Sequence, residues 1–196
     1  MIDAFKEVLK EIPETVLILS SGIANTKTDS GQYDGYDLDR FVSEAGLIDY
    51  VLLPRTVNKG PIDDTALNIQ YNLADINVTP SVGEGFSLST IESGLCGVPT
   101  IATDCSALHE TVKNRGVLVE PKAYTYNLDG SRYWLLNYMD LKKAIVDLLK
   151  DDKKRQEYGK EAQIFASKLT PESRAKLMLD RFELLIKQDA QPVARR

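Results

Sequence analysis

Two glutamates, Glu84 and Glu92, stand eight positions apart near the middle of the chain. Gly83 and Gly85 flank the first of them, and glycine lets a backbone turn tightly and approach a ligand closely. An ionised carboxylate only accepts hydrogen bonds, and its two oxygens match two neighbouring hydroxyl groups such as those of a ribose. The pair is therefore suited to binding hydroxyl groups of one ligand from two sides.

The segment between the two glutamates predicts a helix start, with the helix over residues 87–96 and Gly97 after its end. The first amide groups of a helix have no partner inside it, and the helix dipole favours an anion in front of them. A phosphate group suits that position. With a carboxylate on either side, this helix start would hold a sugar that is joined through a diphosphate to a nucleoside. Leu88, Ile91 and Leu95 fall on one helical face, and we expect them to pack on a sheet.

A simpler interpretation of the same two glutamates stays open at this point. Glu92 would then be a solvated residue on the surface of its helix. Glu84 would be a loop carboxylate that the nearby helix dipole stabilises. The spacing of the pair does not by itself decide between binding and these ordinary structural roles.

The elements around the glutamates form a regular alternation. Short apolar runs alternate with helical patterns, which is typical of a parallel sheet with crossover helices. The predicted strands cover residues 15–20, 50–53, 75–79, 99–103 and 116–119. The predicted helices before residue 121 cover residues 1–11, 37–44, 65–73, 87–96 and 107–113. Ligands bind at the carboxyl edge of such a sheet, where the turn with Glu84 follows its strand.

The pattern changes after Pro121. Residues 123–138 predict a long loop that is rich in aromatic residues, namely Tyr124, Tyr126, Tyr133, Trp134 and Tyr138. This loop would bind an acceptor or a partner, or else would be a surface loop held by a few aromatic anchors. Three further helices are predicted, over residues 140–150, 153–167 and 171–188.

Composition excludes several classes of protein. The chain of 196 residues has 43% hydrophobic and 27% charged residues, which is ordinary for one soluble globular domain. A net charge of −5 argues against nucleic acid as a partner. The two cysteines form no disulfide framework, and neither a dinucleotide-binding glycine pattern nor a P-loop occurs. No leader or membrane-spanning run is evident, so we expect a cytoplasmic protein, with a peripheral membrane location as the alternative.

An ordered set of short motifs runs from Ala74 to Val119. These motifs are Ala74-Asp75, Pro80-Ser81, Glu84-Gly85-Phe86-Ser87-Leu88 with Glu92, Gly97-Val98-Pro99, Glu110 and Gly116-Val117-Leu118-Val119. The set resembles the C-terminal, donor-binding domain of retaining GT-B glycosyltransferases of the glycosyl transferases group 1 family. That family pairs two glutamates around a Glu-Gly-Phe-Gly-Leu-like turn, and one of its glycines is Ser87 here. The resemblance is close between these motifs and loose over residues 1–160.

This resemblance implies a fold and a role for each matching residue. The fold would be a Rossmann-like parallel sheet with helices on both faces. Glu84 would be the catalytic residue that contacts the hydroxyls of the transferred sugar, and Glu92 would bind the ribose. The donor would be lined by Gly85, Phe86, Ser87 and Leu88, with the amides of Ser87 and Leu88 at the diphosphate. Arg55 and Val57 would lie beside the nucleotide base.

The resemblance also implies a chemistry. The intact protein would be a hexosyltransferase that transfers a sugar from a nucleotide-diphosphate donor to a hydroxyl of a glycan, a lipid or another acceptor. GDP-mannose is our first expectation for the donor and a UDP-sugar the second. We expect no metal and no further cofactor. Two alternatives are a non-catalytic module that binds nucleotide sugars and a GT-B-like epimerase that acts on them.

The chain departs from the family pattern at its beginning. The family's donor half starts with a central strand that ends in Gly-Arg and is followed by Lys-Gly, and neither is present here. Arg55 and Lys59 are the candidates to replace those basic residues as phosphate ligands, and His109 is expected in the core or at the surface. We expect residues 1–170 to form the nucleotide-sugar domain. Residues 171–196 would be a helix and tail that cross to an N-terminal domain not in this chain, so the chain would be an incomplete enzyme.

Overall fold

The computed structural model describes residues 1–20, 37–54 and 62–189. The helices in these ranges are α1 Ile2–Leu9, α2 Leu38–Glu44, α3 Asp64–Leu73, α4 Leu88–Leu95, α5 Ser106–Val112, α6 Tyr138–Leu149, α7 Asp152–Ala166 and α8 Pro171–Asp189. The strands are β1 Leu17–Ile18, β2 Val51–Leu52, β3 Asn77–Thr79, β4 Thr100–Thr103, β5 Gly116–Val119, β6 Ala123–Tyr126 and β7 Arg132–Leu135. The alternation of strands and helices that the sequence predicts is confirmed.

The described strands form two parallel sheets and one hairpin. Strands β1 and β2 pair with each other, and β3, β4 and β5 pair in that order. Val78 lies opposite Ile101, and Ile101 lies opposite Val117, so the three strands end level with one another. The loops that leave β3 and β4 therefore meet at one edge of the sheet, the edge at which open α/β sheets bind ligands.

The prediction of a long loop after Pro121 is wrong. Strands β6 and β7 form an antiparallel hairpin, with Tyr124 opposite Trp134. Its connection closes through a hydrogen bond of 2.9 Å from the Asn127 amide to the Ser131 carbonyl, and Gly130 has a φ of 82°. Tyrosine, threonine and tryptophan favour strands, and an Asp-Gly pair favours a tight turn. The polar turn residues hid the strand pattern because they fall in the middle of the segment.

The main hydrophobic core lies between helices α1 and α6 and the parallel strands. Phe5 and Val8 of α1 are buried against Leu141 and Leu148 of α6, and Ile101 of β4 is fully buried beneath them. A second, smaller cluster forms between β4 and α5 from Ala102, Cys105, Leu108 and Val112, with Leu118 and Trp134 packed against it. The second cluster therefore links the hairpin to the sheet.

Helix α4 packs differently from the sequence-based expectation. Ile91 is buried as expected, but Leu88 is 65% exposed and Leu95 is 48% exposed. The buried face instead carries Thr90, Ser93 and Gly94, and it packs mainly on α7. Small residues let two helix backbones approach closely, so they occupy this contact in place of the leucines.

Helix α8 begins as predicted, with the Thr170 hydroxyl accepting a hydrogen bond of 3.2 Å from the Ser173 amide. Every described side chain of this helix is exposed, including several large apolar ones: Leu177, Met178, Leu179, Phe182, Leu184, Leu185 and Ile186. Across the described ranges, no helix combines the length and the apolar character that crossing a membrane requires.

Candidate functional site

The loop between β3 and α4 carries Glu84, and contacts on two sides hold it in place. The Ser81 hydroxyl donates a hydrogen bond of 2.7 Å to Oε1 of Glu84. The Glu84 amide donates to the Ser106 hydroxyl at 2.9 Å, and the Ala107 amide donates to the Glu84 carbonyl at 3.4 Å. The loop is thus attached to the start of α5. Oε2 of Glu84 has no hydrogen-bond partner in the described ranges and is available to a hydroxyl group.

The start of α4 presents backbone donors next to this loop. The amides of Ser87, Leu88 and Ser89 donate to no acceptor among the described residues. Ser87 is buried and has a φ of 64°, in the left-handed region that favours glycine. Its hydroxyl does not cap the helix but lies 2.8 Å from Oγ1 of Thr90. The free amides and the helix dipole together favour an anion in front of Ser87.

The two glycines of the loop do not serve the role in tight turning that the sequence suggests. Neither Gly83 nor Gly85 has a positive φ, and a Cβ added at either position would meet no atom within 4 Å. The left-handed residue of this turn is Ser87, where the family pattern has a glycine. Open space around Gly85 and exposed side chains at Phe86 and Leu88 leave this part of the surface accessible to a ligand.

Glu92 lies on α4 and has a partner that the sequence analysis did not find. The Tyr71 hydroxyl of α3 donates a hydrogen bond of 3.1 Å to Oε2 of Glu92. The pKa of Tyr71 is raised, mainly by burial and secondly by the negative charge of Glu92. The phenol therefore remains a hydrogen-bond donor at physiological pH. Oε1 of Glu92 keeps its capacity to accept hydrogen bonds, since no described residue donates to it.

Tyr71 and Ser106 could not be identified from the sequence, and the reason is the same for both. Tyr71 is 21 positions from Glu92, and Ser106 is 22 positions from Glu84. Neither residue carries a local motif of its own. Ser81 is different, because it belongs to the Pro80-Ser81 pair that contributes to the family resemblance. Only the meeting of loops at one sheet edge brings the partners together.

Other residues considered from the sequence lie elsewhere. His109 is at the surface, one of the two positions expected for it, with Nδ1 2.5 Å from a carboxylate oxygen of Asp104. Arg55 and Val57, expected at the nucleotide base, lie outside the described residues, as does Lys59. No group of three or more His, Cys, Asp or Glu side chains that could hold a metal ion occurs in the described ranges.

Comparison with known proteins finds relatives among sugar-transferring enzymes. The chain is 30% identical over 112 residues to D-inositol 3-phosphate glycosyltransferase 2 of Catenulispora acidiphila, a match that covers 57% of this chain and 25% of that protein. The chain thus spans about a quarter of the length of this curated relative.

Solved structures share the fold over most of the chain. Sucrose-phosphate synthase from Thermosynechococcus elongatus superposes with a TM-score of 0.70 at 27% identity, over 95% of this chain and 42% of the other. HepE from Anabaena, solved in complex with UDP-glucose, superposes with a TM-score of 0.61 at 20% identity, over 85% of this chain and 39% of the other. The chain has the α/β fold of one part of these GT-B proteins.

A sequence model of one family covers most of the chain. The model described as "Glycosyl transferases group 1" matches residues 1–151, which include the loop with Glu84 and helix α4. The match agrees with the short motifs between Ala74 and Val119, with the parallel sheet and with the similarity to solved GT-B proteins. This chain therefore belongs to the glycosyl transferases group 1 family.

Proposed function

We propose that this chain binds a nucleotide-diphosphate sugar at the loop of residues 80–87 and the start of α4. One observation carries the proposal. Two carboxylates, Glu84 and Glu92, each have one oxygen held by a neighbouring hydroxyl and one oxygen left to accept, and along the chain a helix start with free amides lies between them. This arrangement is complementary to hydroxyl groups on both sides of a diphosphate.

Each part of the donor has a place in this arrangement. The diphosphate lies against the amides of Ser87 and Leu88, where the helix dipole stabilises the negative charge that grows as the bond to the sugar breaks. Glu92, oriented by Tyr71, accepts hydrogen bonds from the ribose hydroxyls. Glu84, oriented by Ser81, accepts hydrogen bonds from the transferred sugar and sets its position for attack.

We further propose that the intact protein is a hexosyltransferase that retains the anomeric configuration. Glu84 then acts by positioning the sugar and by countering positive charge at the reacting carbon. GDP-mannose is the first candidate donor, and a UDP-sugar is the second. The UDP-glucose complex of HepE, a protein of the same fold, supports the UDP alternative as a class of ligand.

A thermal-shift panel tests this function on the chain itself. GDP-mannose, UDP-glucose, ADP-glucose, the free nucleoside diphosphates and the two free sugars are each added at millimolar concentration. A ligand that binds the folded chain raises its melting temperature by mass action. We expect at least one nucleotide sugar to stabilise the chain more than glucose or mannose alone. If no nucleotide sugar and no free nucleoside diphosphate raises the melting temperature, the proposed site does not exist.

The same panel resolves the donor. If GDP-mannose gives the larger shift, the first candidate stands, and if UDP-glucose does, the second replaces it. The Glu92→Ala variant tests the ribose contact. It keeps the helix but removes the carboxylate that accepts hydrogen bonds from the ribose hydroxyls. It should reduce the shift from every nucleotide that stabilises the unmodified chain, because all of these donors carry the same ribose.

A further inference from the structure

The hairpin of β6 and β7 carries a cluster of three aromatic rings and one guanidinium group on a single face. Tyr124 pairs with Trp134, and Tyr126 pairs with Arg132, so these four side chains point to the same side of the hairpin. The Tyr124 ring centroid lies 5.4 Å from that of Trp134 and 5.5 Å from that of Tyr126. We refer to Tyr124, Tyr126, Arg132 and Trp134 as the aromatic face.

Arg132 completes this face with a positive charge. Its guanidinium carbon lies 5.1 Å from the centroid of the Tyr124 ring and 6.0 Å from that of the Trp134 ring. Among the described residues no carboxylate forms an ion pair with Arg132, although the chain as a whole is acidic. The planar guanidinium group is held over the rings while its donors remain available to an anion.

The aromatic face is joined to the candidate site. The Trp134 amide donates a hydrogen bond of 3.0 Å to the carbonyl of Val82, two positions before Glu84. The Trp134 ring packs against the cluster that contains Cys105 and Leu108, next to Ser106, which holds the Glu84 loop. The hairpin therefore adjoins the loop at the end where the proposed function places the transferred sugar.

The exposure of this face indicates a binding role. Tyr124 is 47% exposed and Tyr126 is 61% exposed, while Trp134 is partly buried and anchors the face. Exposed aromatic rings offer flat apolar surfaces, and one side of a saccharide ring consists mainly of C–H groups that pack on such surfaces. A guanidinium group pairs with phosphate or carboxylate through two parallel hydrogen bonds. Ring and charge together select an anionic sugar.

We propose that the aromatic face binds the acceptor, and that the acceptor is a saccharide ring bearing an anionic group, either a phosphate or a carboxylate. The saccharide ring stacks on Tyr126, the more exposed of the two tyrosines, the Tyr124 ring lies beside it at an interplanar angle of 85° to Tyr126, and Arg132 binds the anionic group. The role of this saccharide as the acceptor rests on the proposed function, because a saccharide bound here can attack only if the donor sugar lies at Glu84. Binding of the anionic sugar to the hairpin can be measured separately.

Trp134 is the only tryptophan of the chain and reports directly on this face. Its fluorescence is followed during titration with glucose 6-phosphate, glucuronate and glucose, each with and without the nucleoside diphosphate that binds best. We expect a saturable change in emission with at least one of the two anionic sugars. Half-saturation with glucose should need about 10-fold more ligand or more, because glucose lacks the charge-assisted hydrogen bonds. The stronger of the anionic sugars distinguishes phosphate from carboxylate.

Three variants separate this role from a structural one. Arg132→Gln should weaken binding of the better anionic sugar about 10-fold and leave glucose unaffected, since only the charge-assisted bonds are lost. Tyr126→Ala should weaken binding of the anionic sugar and of glucose alike, because it removes the stacking ring. Thr125→Ala, on the opposite face of the hairpin, is the matched control and should leave the binding of both sugars unchanged. An unchanged emission maximum without ligand shows that the hairpin of each variant still packs on the sheet.

Two results would overturn the proposal. One is an emission that responds to none of the three sugars, or to glucose as strongly as to the anionic sugars. The other is an Arg132→Gln variant whose titrations match those of the unmodified chain. If the proposed donor site is wrong, calorimetry shows no nucleotide binding. The sugar titrations without nucleotide would still saturate in that case, so the two proposals fail separately.

Discussion

At the scale of single residues, the site depends on hydroxyl groups that orient carboxylates. Tyr71 holds Oε2 of Glu92, and Ser81 holds Oε1 of Glu84, so each glutamate is oriented before a ligand arrives. An orientation set in advance reduces the side-chain entropy that binding would otherwise cost. Because both orienting groups are neutral, they leave the negative charge on the carboxylates available to ligand hydroxyls.

Glu92→Ala should weaken binding of the nucleoside diphosphate by about 1–3 kcal/mol, the usual effect of losing hydrogen bonds to a charged group. Tyr71→Phe should weaken it by less, about 1 kcal/mol, because the carboxylate remains but loses its orienting partner. Calorimetry with free GDP or UDP measures the affinity of both variants, and Thr65→Ala, at an exposed position in α3, serves as a control. Equal affinity for the unmodified chain and Glu92→Ala would remove Glu92 from the site.

Glu84→Gln should act on the sugar and not on the nucleotide. The variant should bind the free nucleoside diphosphate like the unmodified chain, because Glu84 lies on the sugar side of the phosphates. It should bind the nucleotide sugar about 1–2 kcal/mol less tightly, since an amide presents one acceptor where the carboxylate presents two. The ratio of the two affinities, measured by calorimetry, is the readout. An equal decrease in the affinities for the free nucleotide and for the nucleotide sugar would contradict this assignment.

Ser87 has a backbone conformation that its side chain disfavours. Ser87→Gly and Ser87→Ala both lose the hydroxyl, but only glycine removes the Cβ that a φ of 64° strains. The glycine variant should therefore be the more stable by about 1 kcal/mol in urea unfolding. At Ser89, in the first turn of α4, the order should reverse because alanine favours helix. If Ser87→Ala were more stable than Ser87→Gly, the backbone at position 87 would not be strained.

At the scale of elements, α4 is positioned by its close contact with α7. Helix α4 ends in a Schellman motif, in which the Gly97 amide donates to Gly94 and the Val98 amide donates to Ser93. Gly97 has a φ of 75°, as this ending requires. On the α7 side the backbone at Gly159 approaches the Gly97 carbonyl so closely that a Cβ would lie 2.0 Å from its oxygen. This contact sets the position of the helix whose first amides face the proposed ligand.

Gly159→Ala should destabilise the chain by about 2 kcal/mol or more, because the added methyl group overlaps the Gly97 carbonyl and forces the two helices apart. The effect runs against helix propensity, which by itself favours alanine by about 1 kcal/mol. Gln156→Ala, on the exposed side of α7, is the matched control and should change stability by less than about 0.5 kcal/mol. Urea unfolding of both variants is the measurement, and equal midpoints for both variants would contradict the close contact.

At the scale of the whole molecule, distant parts of the chain enclose the main core. Helices α1 and α6 pack on each other, and Glu11, just after α1, forms ion pairs with Lys142 inside α6 and Lys150 directly after it. These hydrogen bonds from Lys142 and Lys150 lower the pKa of Glu11 from its ordinary 4.5 to about 2. The first and the later helical segments are therefore joined by charge as well as by the core.

The depressed pKa of Glu11 gives a prediction with a definite sign. Its ion pairs stabilise the folded chain above pH 4.5, and this contribution is lost as the pH falls toward about 2. Glu11→Gln should therefore lower the melting temperature at pH 7 and leave it unchanged near pH 2, with a smaller effect at high salt. Glu14→Gln, an exposed neighbour, is the control. A difference between Glu11→Gln and the unmodified chain that persists unchanged from pH 7 to pH 2 would contradict the role of these pairs.

Local patterns in the sequence were enough to predict the parallel alternation and to place the Glu84 turn and the start of α4 at the carboxyl edge of the sheet. They also predicted the Thr170 cap of α8. These features depend on the spacing of apolar residues and on turn chemistry, which act between near neighbours in the chain. The residues that carry the family resemblance lie within the same short segment, and for that reason the sequence alone identified the family.

The tertiary structure decided the contacts that orient the site. Tyr71 reaches Glu92 and Ser106 reaches Glu84 only because separate loops and helices meet at one sheet edge. The exposure of Leu88 was likewise decided by the close approach of α7, which small residues permit and an apolar pattern does not reveal. The hairpin joins the site through a bond from Trp134 to Val82, more than fifty positions away in the chain. Such contacts depend on packing in space, which no local pattern encodes.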